Sequence, residues 1–244
     1  MKSAYSNPFR DKGELSQLLT QGRVTVSCEL FPPKTGAALA RVEDVLRDTA
    51  ALSPDFISVT YGAGGSTSKR TLELAARLQD VYRVPALAHL TCVSSTREEV
   101  SDMVGRLRAA GIENILALRG DLPQDSSFPT PAHYHYASEL ISHIRSLPGG
   151  ADLCIGAACY PEGHVECPHF TADLDNLKRK VDAGADFLTT QMFFDNDVLY
   201  RFLFRALDKG ITVPIVAGIM PVITVAPVSY THLHLHRRVR LHRL

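Results

Sequence analysis

Long apolar runs are missing from this 244-residue chain: no stretch of eighteen or more apolar residues occurs, which argues against a membrane-spanning helix. Residues Met1 to Glu14 are polar and mixed in charge, without the apolar segment of a secretory signal. No excess charge of either sign exists, since 26 basic residues face 26 acidic ones, so no overall field favours nucleic acid. The five cysteines (Cys28, Cys92, Cys154, Cys159, Cys167) form no Cys-x-x-Cys pair, and reduced thiols of a cytoplasmic protein are the simplest reading. What the chain does have is apolar content, 45%, ample for a substantial core. Its length allows one large barrel or two smaller domains.

One alternation recurs along the chain. Apolar, β-rich runs cover Val24–Phe31, Phe56–Tyr61, Ala86–Val93, Asn114–Gly120, Leu153–Tyr160, Phe187–Phe194 and Val213–Met220. Helical patterns lie between them at Leu39–Leu52, Lys69–Val81, Thr96–Ala110, Tyr136–Leu147, Leu174–Ala183 and Asp197–Leu207. Gly111, Gly184 and Gly210 each stand where a left-handed C-cap would end a helix. Strands alternating with helices imply a parallel sheet, and strands apolar on both faces imply helices covering it. Seven such units fit a (β/α)8 TIM barrel better than an open sheet.

In a parallel barrel, charge at the carboxyl ends of strands is available for chemistry. Asn114 to Asp121 runs from an apolar strand into Arg119-Gly120-Asp121, with Leu116 and Leu118 pointing one way and Ala117 the other. Glu29 repeats the pattern between Cys28 and Leu30. Partial desolvation there raises a carboxyl pKa and suits a general acid, unless the side chain simply turns outward or pairs with a base. Thr60 to Thr67 is a glycine-rich strand–helix loop. It could approach an anion, or be a tight turn with Ser66 or Thr67 as N-cap. His89 in an apolar strand reads as a hydrogen-bonded core residue or as a ligand. Cys159, His164, Cys167 and His169 are zinc-ligand types, but their spacing matches no standard finger or ribbon. Asp173, Asn176 and Lys180 share one helix face, with Arg179 beside them; a solvated face with a weak ion pair is the ordinary reading. Gln191, inside the sixth apolar run, is costly unless a ligand or a buried network pairs it.

The ordered motifs Glu-Leu-Phe-Pro-Pro-Lys, Ser-Val-Thr-Tyr-Gly-Ala-Gly-Gly-Ser, Ala-His-Leu-Thr-Cys, Ala-Leu-Arg-Gly-Asp, Ala-Cys-Tyr-Pro-Glu-Gly-His, Asn-Leu-Lys-Arg-Lys-Val-Asp-Ala-Gly-Ala and Thr-Gln-Met-Phe-Phe-Asp resemble the methylenetetrahydrofolate reductase family in its short bacterial, flavin-containing form. The resemblance runs from about residue 24 to Val222. It implies a barrel that binds FAD non-covalently, takes hydride from NADH (or NADPH), and reduces 5,10-methylenetetrahydrofolate to 5-methyltetrahydrofolate for methionine synthesis. By the same resemblance Glu29 is the proton donor that opens the folate ring, and Asp121 stabilises the resulting cation beside the flavin. Gln191 is then a folate contact and Thr60 a nicotinamide contact. The implied FAD positions are Tyr61, Ala63, His89, Arg119, Gly120, Asp121, Ala137, Tyr160, His164, Asp173, Asn176, Arg179 and Lys180; Cys167 aligns less clearly. No metal, nucleic acid or membrane partner is implied, and family members associate into oligomers.

The pattern departs from the family at the C-terminus. The last 23 residues hold four His and four Arg and no acid, with His232, His234 and His236 alternating with leucines. A metal site, an anion-binding arm and an unstructured basic tail are all readings of this segment. The favoured expectation is a truncated barrel over residues 1–222, lacking its eighth strand, and a non-family tail over 223–244 arising from truncation, frameshift or sequence error. Such a chain would be unstable or poorly active. Two alternatives stand beside the reductase: a metal-dependent barrel hydrolase using His89, His164 and His169, and an inactive flavin- or folate-binding fragment.

Overall fold

A computed structural model describes residues 13–33, 41–61, 68–93, 95–121, 133–167 and 169–220. Seven strands form one sheet: β1 (Ser27–Leu30), β2 (Phe56–Val59), β3 (Ala86–Thr91), β4 (Asn114–Leu118), β5 (Cys154–Cys159), β6 (Phe187–Thr190) and β7 (Ile215–Val216). Every pairing is parallel and the spatial order is the chain order. The helices are α1 (Glu14–Leu18), α2 (Val42–Ala51), α3 (Ser68–Asp80), α4 (Arg97–Ala109), α5 (Ala137–Ser146), α6 (Phe170–Asp182) and α7 (Asn196–Asp208). The sheet curls into a half-barrel. Among the described residues no strand joins β7 back to β1, and no helix is long and apolar enough to cross a membrane. The expected tail over 223–244 lies outside the described residues.

Period-2 alternation sorts each strand between two cores. Ile57, Val59, Ala88, Leu90, Ile115, Ala117, Ile155 and Ala157 pack outward against the helices. Phe56, Leu87, Leu116, Cys154 and Phe187 pack inward in a second cluster, with Leu118 at its margin. Leu116 and Leu118 therefore face opposite to Ala117, as the pattern predicts. Helix α1, which sequence periodicity did not single out, closes the amino end of this inner cluster. Leu15 is fully buried there, its N–H donates to Asn114 Oδ1 at 3.3 Å, and Gly13 N–H donates to the Asp152 carbonyl at 3.1 Å. Polar groups left in the mouth are therefore those nearer the carboxyl ends.

Helix ends follow the expected chemistry. Gly111, Gly184 and Gly210 all take positive φ. At each, the glycine N–H bonds three residues back and the next N–H five residues back, which is a Schellman motif. The following residues, Ile112, Ala185 and Ile211, are buried and lead into the next strand. Thr96 and Glu99 close a reciprocal capping box at the start of α4. One buried ion pair ties α5 to β5 and β6. Arg145 meets Asp186 and also donates to the carbonyls of Gly150, Leu153 and Gly184, while Asp186 Oδ2 accepts Ile155 N–H at 2.8 Å.

Candidate active site at the carboxyl ends of the strands

Glu29 is built into the mouth by its neighbours. Cys28 and Leu30 pack against the outer core, so the residue between them faces inward. The β1–β2 register sets Glu29 opposite Ser58, and Ser58 Oγ donates to Glu29 Oε2 at 3.4 Å. From β3, His89 Nε2 comes within 3.6 Å of the same oxygen. Glu29 keeps 46% of its side chain open to the mouth, yet enough protein surrounds it that desolvation raises its pKa, with the Ser58 hydroxyl pulling the other way. His89 is only 6% exposed, and burial lowers its pKa to about 4, so its ring is neutral near pH 7. Its Nε2 is buried and has no hydrogen-bond partner among the described residues. Neither core histidine nor free ligand describes it alone: it is a buried, neutral neighbour of the carboxyl group.

The Arg119-Gly120-Asp121 turn leaves β4 at the same end of the sheet. Arg119 carbonyl accepts the N–H groups of Cys92 and Val93 at 3.2 and 2.8 Å, which ties the turn to the end of β3. Gly120 adopts φ +87°, and a Cβ there would stand 3.1 Å from Val93 Cγ1 and 3.2 Å from Thr91 Cβ. Only glycine fits both the conformation and the space. Asp121 is exposed beyond it. The Arg119 guanidinium forks onto Glu166, at 2.6 and 2.9 Å, which raises the arginine's pKa and lowers the glutamate's.

Glu166 links that turn to a polar group on β5 and α6. Its N–H donates to His164 Nδ1 at 3.2 Å, and His164 N–H donates to Asp173 Oδ2 at 3.0 Å. The His164 ring meets the Tyr160 ring edge-on at 4.6 Å. Lys180 Nζ donates to the Ala158 carbonyl at 2.8 Å and lies 5.6 Å over the Tyr160 ring. Burial lowers the Lys180 pKa and pushes the Tyr160 phenol up to about 12. Among the described residues no carboxylate stands within ion-pair distance of Lys180. The solvated-face reading of this helix thus fails for Lys180, while Lys178, paired with Asp182, does occupy such a face. Arg179 is exposed and donates to Asn176 Oδ1 at 2.9 Å.

The remaining positions divide. Thr60 follows β2, its N–H bonded to Leu30 carbonyl and its own carbonyl accepting the Thr71 hydroxyl, both at 2.9 Å; Tyr61 is half-buried beside it. Ala63 lies outside the described residues. Ala137 is the buried first residue of α5. Gln191 requires a correction: β6 stops at Thr190, and the glutamine is exposed, its N–H bonded to the Cys159 carbonyl at 2.8 Å. No burial cost needs a ligand to relieve it. On the β7 side, Gly218 N–H donates to Thr190 Oγ1 at 2.8 Å. Cys159 is buried with its thiol pushed up to about 12, and Cys167 Sγ donates to the His169 carbonyl. No three metal-ligating side chains converge among the described residues, so the hydrolase reading lacks a ligand set there. Ser58 and Glu166 escaped sequence reasoning. Ser58 carried one usable signal, its place at alternate spacing in an otherwise apolar strand.

The methylenetetrahydrofolate reductase family profile matches residues 14–235. The chain belongs to this family. A 5,10-methylenetetrahydrofolate reductase of Escherichia coli (strain K12) is 40% identical over 213 residues, covering 87% of this chain and 70% of that protein. A probable methylenetetrahydrofolate reductase (NADH) of Oryza sativa subsp. japonica is 39% identical over 220 residues, covering 86% of this chain. The chain spans 37% of the rice protein's length, so the likeness in proportion is to the short bacterial form. Among solved structures, a Clostridium thermocellum protein that binds two copies of 5-methyl-5,6,7,8-tetrahydrofolic acid superposes with a TM-score of 0.54 at 13% identity. The match covers 83% of this chain and 68% of that one. At that identity the likeness is one of fold.

Proposed function

We propose that this chain carries the site for flavin-dependent reduction of 5,10-methylenetetrahydrofolate to 5-methyltetrahydrofolate, with NADH as reductant. Its half-barrel is read as the greater part of a (β/α)8 barrel. The observation that carries the proposal is Glu29, a carboxyl group with a raised pKa in the same mouth as the Arg119-Gly120-Asp121 turn. Family membership supports folate reduction, and the relatives named for NADH support a pyridine nucleotide. Five cysteines without a Cys-x-x-Cys pair fit reduced thiols in a cytoplasmic location.

The residues present fit FAD. Among the described residues His89 Nε2 is a buried polar atom without a hydrogen-bond partner, and Lys180 is a half-buried amine with no carboxylate at ion-pair distance. A polar, anionic group would satisfy both. Lys180 and Arg179, with Asn176 on the same helix, would meet its pyrophosphate; Arg119, Tyr160, His164 and His89 would hold its other parts. Bound FAD would supply two-electron chemistry, accepting hydride from the nicotinamide and delivering it to the folate.

The chain's own part is acid–base and electrostatic. Glu29, its pKa raised by desolvation, gives its proton to the folate ring nitrogen whose bond to the one-carbon unit breaks. The bonding pair stays on that nitrogen, and the one-carbon unit becomes a cationic iminium. Asp121 offers negative charge to that cation, and Gln191 and Thr60 are assigned to folate and nicotinamide. The test is the visible spectrum of the purified protein under anaerobic conditions. Flavin absorbance bleached by NADH and restored by methylenetetrahydrofolate supports the proposal; absence of either change refutes it.

A further inference from the structure

We propose that Ser58 is a positioning residue for Glu29, holding its Oε2 so that Oε1 is the oxygen that carries and delivers the proton. The inference rests on the reading of Glu29 as the acid. Both contacts on this carboxyl group fall on one atom: Ser58 Oγ at 3.4 Å and His89 Nε2 at 3.6 Å both reach Oε2. Among the described residues nothing bonds to Oε1. A carboxylic acid has one carbonyl-like oxygen that accepts and one hydroxyl oxygen that donates. With a serine O–H aimed at Oε2, that oxygen is the acceptor, and the proton resides on Oε1.

The arrangement is fixed by register. Ser58 stands directly across from Glu29 in the β1–β2 pairing, and Ile57 and Val59 on either side are locked into the outer core. Ser58 is 6% exposed, so its hydroxyl cannot swing into solvent for another partner. The bond also has a direction in time. When Oε1 releases its proton, Oε2 gains negative charge and the Ser58 bond becomes charge-assisted and stronger. Ser58 thereby favours the ionised product of the proton step, in line with its lowering of the Glu29 pKa against the larger effect of burial.

Groups around β1 leave this assignment intact. At its amino end Asp55 is held by Arg23 and by Val26 N–H. Past its carboxyl end Arg70 donates to the Pro33 carbonyl. His89, the titratable group that does face Glu29, is neutral above about pH 4. Burial and the Ser58 hydroxyl are the influences on Glu29 itself.

The test compares Ser58→Ala, Ser58→Cys and Ser58→Thr in the full chain. The first readout is the Glu29 carboxyl titration, followed by infrared or 13C-glutamate NMR and assigned with Glu29→Gln. It needs neither flavin nor turnover, so it stands even if the reductase reading fails. Loss of the hydroxyl in S58A is expected to move the Glu29 midpoint upward by about 0.5–1 pH unit. S58C, which keeps the volume with a weak donor, should follow S58A if the alanine variant folds poorly. S58T, which keeps the O–H, should titrate like the wild type. The second readout is the pH profile of flavin reoxidation by methylenetetrahydrofolate, whose descending limb should rise by the same amount in S58A. An unmoved Glu29 midpoint in S58A and S58C, or an S58T midpoint shifted as far as theirs, overturns the proposal.

Discussion

Replacing Arg145 by alanine should be among the most destabilising single changes available in this fold. The guanidinium contacts Asp186 and the carbonyls of Gly150, Leu153 and Gly184, joining α5 to the entrances of β5 and β6. Asp186 is 3% exposed and Arg145 15%, so neither is rescued by water when its partner goes. In R145A the carboxylate would keep the Ile155 N–H at 2.8 Å but lose its cationic donor, and three carbonyls would lose theirs. Removing one member of a buried pair costs about 3–5 kcal/mol, because the remaining charge loses its counter-charge. The assay is urea denaturation, reading the midpoint at constant slope. Arg47→Ala serves as control, since Arg47 pairs with Asp44 and Asp48 on an exposed face and should leave the midpoint unmoved. Arg145→Met combined with Asp186→Leu should recover part of the loss, because an apolar pair leaves no stranded charge. An R145A protein within about 1 kcal/mol of wild type would refute the reasoning.

Two further outcomes concern the mouth. Glu29→Gln keeps the shape but removes the acid, so reoxidation of reduced flavin by methylenetetrahydrofolate should slow by about 10²–10⁴-fold, measured by stopped flow; a loss under tenfold would exclude Glu29 as the acid. His89 stays neutral in the fold down to about pH 4 against an ordinary value of 6.5, so the unfolded chain binds more protons between those limits. Stability should therefore decline as pH falls from about 6.5 toward about 4, by about 3 kcal/mol from this group. Denaturation curves of His89→Asn should show a shallower decline across that window, and an identical slope would contradict the assignment.

The periodic parts of this fold were legible because each repeats a local rule. Apolar, β-rich runs mark all seven strands, and Gly111, Gly184 and Gly210 mark helix ends that do carry positive φ. Strand ends were less legible. The apolar run Val213–Met220 yields only Ile215–Val216 as strand, since Pro214 has no N–H to give a ladder and Gly218 spends its own on Thr190 Oγ1. Helix α1 was missed because five residues are too few for a periodic signal, and its leucines matter only once a barrel end exists to receive them. At the site, Glu29 and the Arg119-Gly120-Asp121 turn stood out as charges at strand ends. Their partners Ser58, on the adjacent strand, and Glu166, 47 residues beyond Arg119, did not. Cross-strand register and a loop returning over a strand end are tertiary facts that no spacing within one segment encodes. Gln191 shows the converse: its apolar neighbourhood in sequence implies burial, yet the strand ends at Thr190 and the side chain is exposed.

In the proposed function one mouth serves both hydride donor and folate, with Glu29 supplying the proton. Its most direct measurement is an anaerobic titration of the purified chain followed at flavin wavelengths. Turnover is expected to be slow if the truncated barrel is poorly active, but flavin absorbance should be bleached by NADH and restored by methylenetetrahydrofolate, the second change lost in Glu29→Gln. A colourless protein that takes up no FAD, or a bleached one that the folate leaves unchanged, would contradict it.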